Sequence, residues 1–563
     1  MKNGKWKHRV ASWLNDFIFM QDFLEKLDDL ADIEIENNLV RWLERAAFVF
    51  MILMFVAAPH SIAATQIAWL TGMFIWVVRL SFKPRPRLVR TPLDVPLWIF
   101  FVWSIVSSIF SYDPPTSLDK LRNVALFLIF YYVINVVRTK RAVIFLAFAM
   151  ITSTMVSVVW TPIERIIGRG VEIVGVSKES TLTKALLLDG DTLLKANGVK
   201  IKTPDDLIAQ MQANGTTKLF VYRPDSYFTV EVKRAELLGG EDALKQLGVA
   251  GWKRSRNWRS AGFYGHYTTF AEVLQLVASL TFGLFIVLLS KRFLPQRPGD
   301  AEEKQLATGD GRWTLILAAC LAGMCFALLL TVTRASQLAF LISAAVMVLI
   351  IGNRRMFLTL AAIVLPIALI GLVFLQQSRQ VGFFDAQDES IKWRQTVFRE
   401  GIDLWTENPR HFFLGVGMDS IKKYAKEWHL FDDGRLPMGH FHSTPLQLLV
   451  ERGLPALFLW LWVLWVYGRM LLKVQSSRFK VQSSDENNRK SKTQNPKSLD
   501  WREQGIIWGS FGGMIGFFAG GLVHYNLGDA EVAMVFFMLM GLSVSLLIID
   551  SRTDFLKYDK LIS

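Results

Sequence analysis

The residues of this sequence best suited to chemistry are arginines and histidines beside long apolar stretches. Arg334 lies in Thr331–Ser336, between two apolar runs that almost no loop separates. An arginine at the edge of the hydrocarbon is costly and usually lines a polar cavity, although a side chain that reaches to the interface gives the same pattern. Arg394 follows Trp393 on a predicted helix over Ser390–Leu404, where the neighbouring charges also allow an ordinary surface position. Because a guanidinium binds phosphate through two parallel hydrogen bonds, both arginines are candidate anion ligands.

His440 and His442 stand directly before another apolar run. A histidine titrates near neutral pH and can take a proton from a hydroxyl group, so His442 is a candidate general base. A hydrogen-bonded interfacial histidine is the plainer interpretation. A His-x-His metal site with Asp432 and Asp433 is a third interpretation, but no further ligand spacing supports it. We predict no metal ion and no other cofactor.

The composition is typical of proteins that cross a membrane many times. Of 563 residues, 52% are hydrophobic, and the mean hydropathy is +0.30. The net charge of +14 does not indicate nucleic-acid binding, because most cations lie between apolar stretches, as they do in cytoplasmic loops. The two cysteines, Cys320 and Cys325, share one apolar run and are interpreted as small core residues. The mixed charge of the N-terminal segment argues against a cleavable signal peptide.

Apolar runs of about 20 residues predict an all-α polytopic membrane protein with about 12 transmembrane helices and a small inserted α+β domain. The chain divides into a cytoplasmic amphipathic segment, spans one to five, the inserted domain, spans six to nine, a large loop, spans ten to twelve with a flexible polar linker, and a tail. These segments are 1–45, 46–162, 163–250, 251–375, 376–445, 446–550 with the linker at 472–503, and 551–563.

Lysine and arginine in the short loops predict the orientation. Under strict alternation of the spans, five basic loops fall on one side, which the positive charge marks as cytoplasmic. They are 81–90, 138–141, 291–312, 353–355 and 471–503. Both termini share that side. The inserted domain, the large loop and all of the candidate residues then lie on the extracytoplasmic face, and the aromatic-rich large loop is expected to fold as a cap over a membrane cavity.

The inserted segment breaks the apolar pattern and predicts a small domain of its own. Its β-like runs are Val171–Val176, Lys218–Tyr222 and Tyr227–Val232. Thr203-Pro204 begins a helix, and Asn197-Gly198 favours a tight hairpin. With Gly190-Asp191 before them, these features resemble the bacterial PDZ pattern. The resemblance implies a peptide or protein partner that adds a strand; a spacer without binding stays open, because no carboxylate-binding loop precedes the first run.

Four motifs, taken in order, resemble the O-antigen ligase and polymerase superfamily of bacterial membrane glycosyltransferases. They are Gly262-Phe263-Tyr264-Gly265-His266, Thr333-Arg334-Ala335-Ser336, the stretch from Trp393-Arg394 through Asn408-Pro409 to Gly415-Val416-Gly417, and His442-Ser443-Thr444-Pro445-Leu446-Gln447 followed by Glu451-Arg452-Gly453. Ser443 stands where the family usually has asparagine, and Pro445 is unusual. The resemblance covers most of the chain outside the insertion, and these departures leave the acceptor open.

The resemblance implies transfer of a glycan from a polyprenyl diphosphate carrier to an acceptor hydroxyl, with inversion and without a metal ion. Arg334 and Arg394 would bind the diphosphate and stabilise its growing charge, and His442 would accept the hydroxyl proton. The remaining candidate substrate-binding residues are His266, His440, Lys120 and Arg122, the last two with a structural role equally open. The acceptor is expected to be a glycan, a lipid or a protein.

Three alternatives remain. Within the same class, a polysaccharide polymerase and a protein O-oligosaccharyltransferase use the same chemistry. A secondary transporter also has about twelve spans, but the halves show no repeat, and transporters place their charged sites near the bilayer midplane. The expected location is the bacterial inner membrane, with the active site on the periplasmic face.

Overall fold

The computed structural model shows two compact units, which we describe separately. It describes residues 21–223, 226–256, 258–293, 304–352, 356, 358, 362, 389–436, 439–485 and 499–562. Within these, the first unit comprises Met1–Ser157, Phe263–Leu329 and Thr333–Ser563, and the second comprises Val158–Gly262 and Leu330–Val332.

Helices dominate the first unit, and a small sheet dominates the second. The helices are α1 Asn38–Ala57, α2 Ile62–Arg79, α3 Asp94–Ile109, α4 Pro114–Asp119, α5 Leu121–Val124, α6 Leu128–Val136, α7 Lys140–Ile167, α8 Thr181–Lys184, α9 Pro204–Ala213, α10 Ala243–Leu247, α11 Tyr267–Phe293, α12 Lys304–Leu330, α13 Arg334–Ile351, α14 Glu389–Thr406, α15 Pro409–Leu414, α16 Ser420–Tyr424, α17 Leu430–Gly434, α18 Thr444–Asp485, α19 Trp501–Gly521 and α20 Ala530–Ile562. The strands are β1 Val171–Val176, β2 Thr192–Ala196, β3 Val199–Lys200, β4 Thr216–Arg223, β5 Ser226–Lys233 and β6 Val249–Arg254.

Among the described residues, seven helical stretches are long and apolar enough to cross a membrane. They are Ile62–Arg79, Lys140–Ile167, Tyr267–Ser290, Gly311–Leu330, Arg334–Ile351, Thr444–Lys473 and Ala530–Asp550. The apolar helix α3 is shorter, and the expected fourth span is divided into α5, a 3-10 turn and α6. The sequence also predicts a span over Phe357–Leu375, of which the structure describes only residues 358 and 362. A polytopic helical protein is therefore confirmed, whereas the count of about 12 spans stays a prediction.

Close packing of α11 against α19 forms the centre of the first unit. Five of every six residues in the span of α11 are buried, against about a quarter in α2. Glycines make the contact possible: a Cβ on Gly509 would lie 2.6 Å from the Leu280 Cα, and one on Gly283 would lie 2.3 Å from the Gly509 backbone nitrogen. Small residues let helix backbones approach in this way. Because α11 begins just after His266 and α19 ends just before His524, this contact brings the ends that carry both histidines together.

The described part of the large loop is folded, with a core of its own. Helices α14 to α17 bury a cluster that includes Val397, Leu404, Phe431 and Phe441. The predicted helix over Ser390–Leu404 is present as α14. Beyond the following span, the backbone stays helical to Asp485, so the described start of the expected flexible linker is helix instead. Its residues contain no glycine or proline to end a helix.

The second unit contains a six-stranded antiparallel sheet in the order β5-β4-β2-β1-β6, with β3 paired to β2. Asn197 and Gly198, both at positive φ, join β2 to β3 in the expected two-residue hairpin. Thr203 caps α9 with a capping box, as its position before Pro204 indicated. Asp191 is buried and pairs with Arg223 through two hydrogen bonds of 2.7 Å, so the Gly-Asp motif serves the sheet. The resemblance to PDZ domains and its peptide partner stay predictions.

Candidate active site

A break in α18 holds two of the sequence motifs together. Gly453 has a φ of +74°, and a Cβ there would lie 2.1 Å from the Phe413 carbonyl oxygen, so a side chain fits neither the backbone nor the space. The break leaves carbonyl groups for another segment, and they accept hydrogen bonds of 2.8 and 2.9 Å from the amides of Val416 and Gly417. The Gly-Val-Gly motif thus docks on the Glu-Arg-Gly motif through the backbone.

His442 lies in the turn that leads into α18. Its backbone adopts a φ of +49°, in the left-handed region that few residues other than glycine enter. The neighbouring amide of Phe441 donates a 2.8 Å hydrogen bond to the Gln447 side chain. This bond holds the segment that contains His442 against the start of α18. The Trp393 ring packs edge-on against the imidazole, with 4.4 Å between ring centres. Helix α14 therefore carries its Trp-Arg pair to the histidine.

Four histidines gather around this turn. The rings of His440 and His442 are 4.0 Å apart, and the His524 ring is 6.5 Å from His442. The backbone carbonyl of His524 accepts hydrogen bonds from the amide and hydroxyl of Thr444, which ties the α19–α20 turn to the start of α18. His266 lies near enough for its charge to act on both central rings. The group brings together residues from three separate parts of the chain.

Burial and positive neighbours keep the central histidines neutral. Burial, followed by the charges of His440, His524, Arg394 and His266, lowers the pKa of His442 to about 2. Burial is also the main cause that lowers the pKa of His440 to about 4. The amide of His442 donates to Nδ1 of His440 at 3.2 Å, so neutral His440 carries its proton on Nε2. At neutral pH both imidazoles are therefore in the neutral form.

A cavity of about 160 Å³ lies beside His440. Its polar lining includes Glu451 and Arg452, both almost fully buried in α18. The Arg452 guanidinium makes long contacts, 3.3 Å to the Ser104 hydroxyl and 3.2 Å to the Tyr525 hydroxyl, and lies 3.9 Å from the Glu451 carboxylate. Its Nε atom is buried and has no hydrogen-bond partner in the described structure.

The other candidate residues chosen from the sequence differ in how they relate to His442 and to the cavity. Arg394 acts on His442 electrostatically. Lys120 lines the cavity and pairs with Asp419 at 3.1 Å. Arg334 is the first residue of α13 and is half-buried, but it is not among the residues that most strongly lower the pKa of His442.

Arg122 and His266 complete the set of candidates. The Arg122 side chain is 68% exposed, pairs with Asp119 and does not line the cavity. His266 is exposed, its ring stacks on Tyr267 at 4.4 Å, and its Nδ1 accepts from the Thr268 amide. The structure thus gathers the histidines, Arg394 and Lys120 near one another and leaves Arg122 at the surface.

Sequence reasoning missed several neighbours of the site. His524 is a lone histidine in the turn between α19 and α20. Strict alternation of the predicted spans would put this turn on the same face of the membrane as His442, and that was the signal available in the sequence. Asp419 and Lys422 sit on the helical stretch after the Gly-Val-Gly motif and face the cavity. Asp432 and Asp433 do not join the histidines, since Asp433 pairs with His429. In the described ranges, no group of three or more His, Cys, Asp or Glu residues is placed to hold a metal ion.

Part of the chain matches a known protein family. Residues 315–461 match the family model described as O-antigen ligase. The match includes Arg334, Arg394 and His442, while Lys120 and His524 lie outside it. No curated protein matches the chain.

Proposed function

We propose that this chain is a membrane enzyme of the O-antigen ligase superfamily, and that it transfers a glycan from a polyprenyl diphosphate carrier to an acceptor hydroxyl at the extracytoplasmic end of its membrane helices. The match at 315–461 supports a membrane enzyme of ligase type. The donor, the face of the membrane and the residue roles given below are part of the proposal.

In the proposed reaction, the acceptor hydroxyl oxygen attacks the anomeric carbon from the side opposite the diphosphate. The new carbon–oxygen bond forms as the bond to the phosphate oxygen breaks, and its electron pair leaves with the diphosphate. The hydroxyl proton goes to the imidazole of His442. Arg394 and Arg334 bind the diphosphate oxygens and stabilise the charge that develops there. Attack from the opposite side inverts the anomeric centre.

Donor binding would also activate the base. Without donor, burial and then positive neighbours that include Arg394 lower the pKa of His442 to about 2, which makes the imidazole a weak proton acceptor. A bound diphosphate brings at least two negative charges next to Arg394. Those charges oppose the positive field and raise the pKa of His442, because a nearby opposite charge favours the protonated form. His442 would therefore become an effective base only when the donor is in place.

One observation carries the proposal: a buried, neutral histidine with Trp393 against its ring and Arg394 beside it, inside the matched region. The plainer interpretation, an interfacial histidine held by hydrogen bonds, does not require the arginine or the left-handed backbone at His442. A catalytic role accounts for both.

The test is glycan transfer by purified full-length protein in liposomes, with lipid-linked donor and acceptor from the native membrane. His442→Ala should lower the transfer rate by about 10²–10⁴, the usual contribution of a general base, while donor binding persists. His429→Ala is the matched control, because that exposed histidine pairs with Asp433 at the surface of the same loop. Transfer by His442→Ala at the parental rate would refute the assigned base.

A deletion strain separates ligase from polymerase. Loss of a ligase leaves full-length polymer on the lipid carrier, because polymer still forms but is not transferred. Loss of a polymerase leaves single repeats on the carrier. Analysis of carrier-linked glycans by mass spectrometry distinguishes the two outcomes, and unchanged carrier-linked glycans would contradict both.

A further inference from the structure

The side chains that line the cavity beside His440 include more cations than carboxylates. Lys120 and Lys422 both line it and share one carboxylate, that of Asp419, at 3.1 and 2.8 Å. Arg452 adds a third cation, opposed by Glu451 at 3.9 Å. Three cations thus face two carboxylates. A wall with this balance favours an anionic group in the cavity.

Arg452 is the strongest sign of a ligand. The side chain is 3% exposed, yet its hydrogen bonds are long and its Nε has no partner in the described structure. A buried guanidinium is costly unless its donors are satisfied. Its partners are the hydroxyl groups of Ser104 and Tyr525, and the hydroxyl groups of a bound sugar are acceptors of the same kind.

The rest of the lining fits a sugar ring. Phe100 and Trp460 both line the cavity, and their ring centres are 5.8 Å apart. The lining also includes the neutral polar side chains of Gln447 and Tyr525, both of which hydrogen-bond to Glu451. A cavity of about 150 Å³ accommodates benzene, a six-membered ring, and the volume here is about 160 Å³. Aromatic walls with a few polar groups are typical of small-molecule sites.

We propose that this cavity binds one sugar residue that carries a carboxylate or phosphate group, with the anionic group near Lys120 and Lys422 and the ring beside Phe100 and Trp460. The inference rests on the proposed glycan transfer and adds a substrate class to it. His440 lines the cavity and its ring lies 4.0 Å from that of His442. The bound sugar would therefore lie next to the reacting centre, in the donor glycan or in the acceptor.

The test measures binding of methyl β-glucuronide to the full-length protein in nanodiscs by ligand-observed NMR, with methyl β-glucoside as the neutral probe. Glucuronide should bind more tightly than glucoside, and Lys422→Met should weaken it about fivefold, the loss of one partly exposed charge contact. Lys426→Met is the control, since that lysine is exposed on the same segment and does not line the cavity. Equal binding of both probes to the parent protein would overturn the proposal.

A second variant reverses the sign of the effect. Asp419→Asn removes the carboxylate that Lys120 and Lys422 share, so glucuronide binding should become tighter. Asparagine tolerates the left-handed backbone of residue 419, where φ is +60°. An unchanged or weaker affinity in folded Asp419→Asn would overturn the proposal, even where Lys422→Met is poorly folded.

Inorganic pyrophosphate separates this inference from the proposed function. Pyrophosphate should bind in the presence of glucuronide. Its affinity should be lowered by Arg394→Ala but not by Lys422→Met. If pyrophosphate displaces glucuronide, the cavity is the diphosphate site and the sugar proposal is wrong. If Arg394→Ala leaves pyrophosphate binding intact, the proposed donor site fails while the sugar site stands. In transfer assays, Lys422→Met should raise the KM for donor or for acceptor, which identifies the source of the anionic sugar.

Discussion

The first unit contains two clusters of buried charge that differ in how completely they are paired. In one, the Glu44 carboxylate accepts hydrogen bonds of 2.8 Å from Arg79 and 2.7 Å from Arg138, and Arg79 donates its remaining groups to the carbonyls of Phe82 and Pro84. In the other, Arg452 lies 3.9 Å from Glu451, and its Nε has no partner in the described structure. The first, closed cluster lines a crevice of only about 10 Å³, whereas the second, open cluster lines a cavity of about 160 Å³.

This difference in pairing indicates whether a buried ion pair serves stability or ligand binding. A charge taken out of water loses its hydration, and short, complete hydrogen bonds must compensate for that loss. The Glu44 cluster provides such hydrogen bonds. Long and incomplete contacts leave part of that cost in place, which a ligand can offset. The Glu44 cluster is therefore assigned to the stability of the fold, and the Glu451 cluster to binding.

The largest expected effect is on stability, at the closed cluster. Glu44→Gln leaves Arg79 and Arg138 without a carboxylate, and breaking a buried pair by removing one partner typically costs about 3–5 kcal/mol of the free energy of unfolding. Thermal unfolding in detergent measures the loss. The transfer rate per folded molecule should be unchanged, and a specific loss of transfer would show that this cluster also serves the reaction.

A smaller loss of stability and a larger loss of transfer are expected at the open cluster. Glu451→Gln keeps an oxygen that can accept from the Asp419 amide, now 3.0 Å away, but removes the charge opposite Arg452. The expected cost is about 1–3 kcal/mol, smaller than at Glu44, because Glu451 lies 3.9 Å from Arg452 and no short hydrogen bond to an arginine is lost. Unfolding and transfer assays on the same preparation compare the two variants. Equal stability losses in Glu44→Gln and Glu451→Gln would remove the distinction between the clusters.

The smallest expected effect is the pH dependence of stability near the open cluster. The folded pKa values of His440 and His442, about 4 and about 2, lie below the unfolded value of about 6.5. Between those values the unfolded chain binds protons that the folded chain does not. Stability is therefore full above pH 6.5 and is lost as the pH falls, by about 1 kcal/mol for each histidine between pH 7 and 5.5.

The melting temperature of the parent protein and of His440→Gln, measured across that range, checks this prediction. The variant should show a shallower decline than the parent, because one of the two groups no longer titrates. Glu44→Gln should keep the parental slope, since its cluster contains no histidine. A parental slope in both variants would contradict the burial of His440.

Local structure was the part of the fold that could be predicted well. The helix start at Thr203-Pro204, the hairpin at Asn197-Gly198 and the helix around Arg394 all depend on neighbouring residues, and each is present. The fourth expected span is divided instead of continuous, because an apolar run does not by itself show where a helix is interrupted. Among the site residues, His440 and His442 stand two positions apart, so their proximity follows from the sequence.

The sequence by itself determined the membrane class, the folded insertion and the family model that residues 315–461 match, because composition, hydrophobic period and motif order are all properties of the sequence. Only the tertiary structure decided which distant residues meet. The glycine contact between α11 and α19 brings His266 and His524 to His442, and the break at Gly453 docks the Gly-Val-Gly motif beside Glu451. Lys120 reaches Asp419 in the same way, across the packed helices. Such meetings depend on which helix faces can approach closely, and that is a property of the packed molecule.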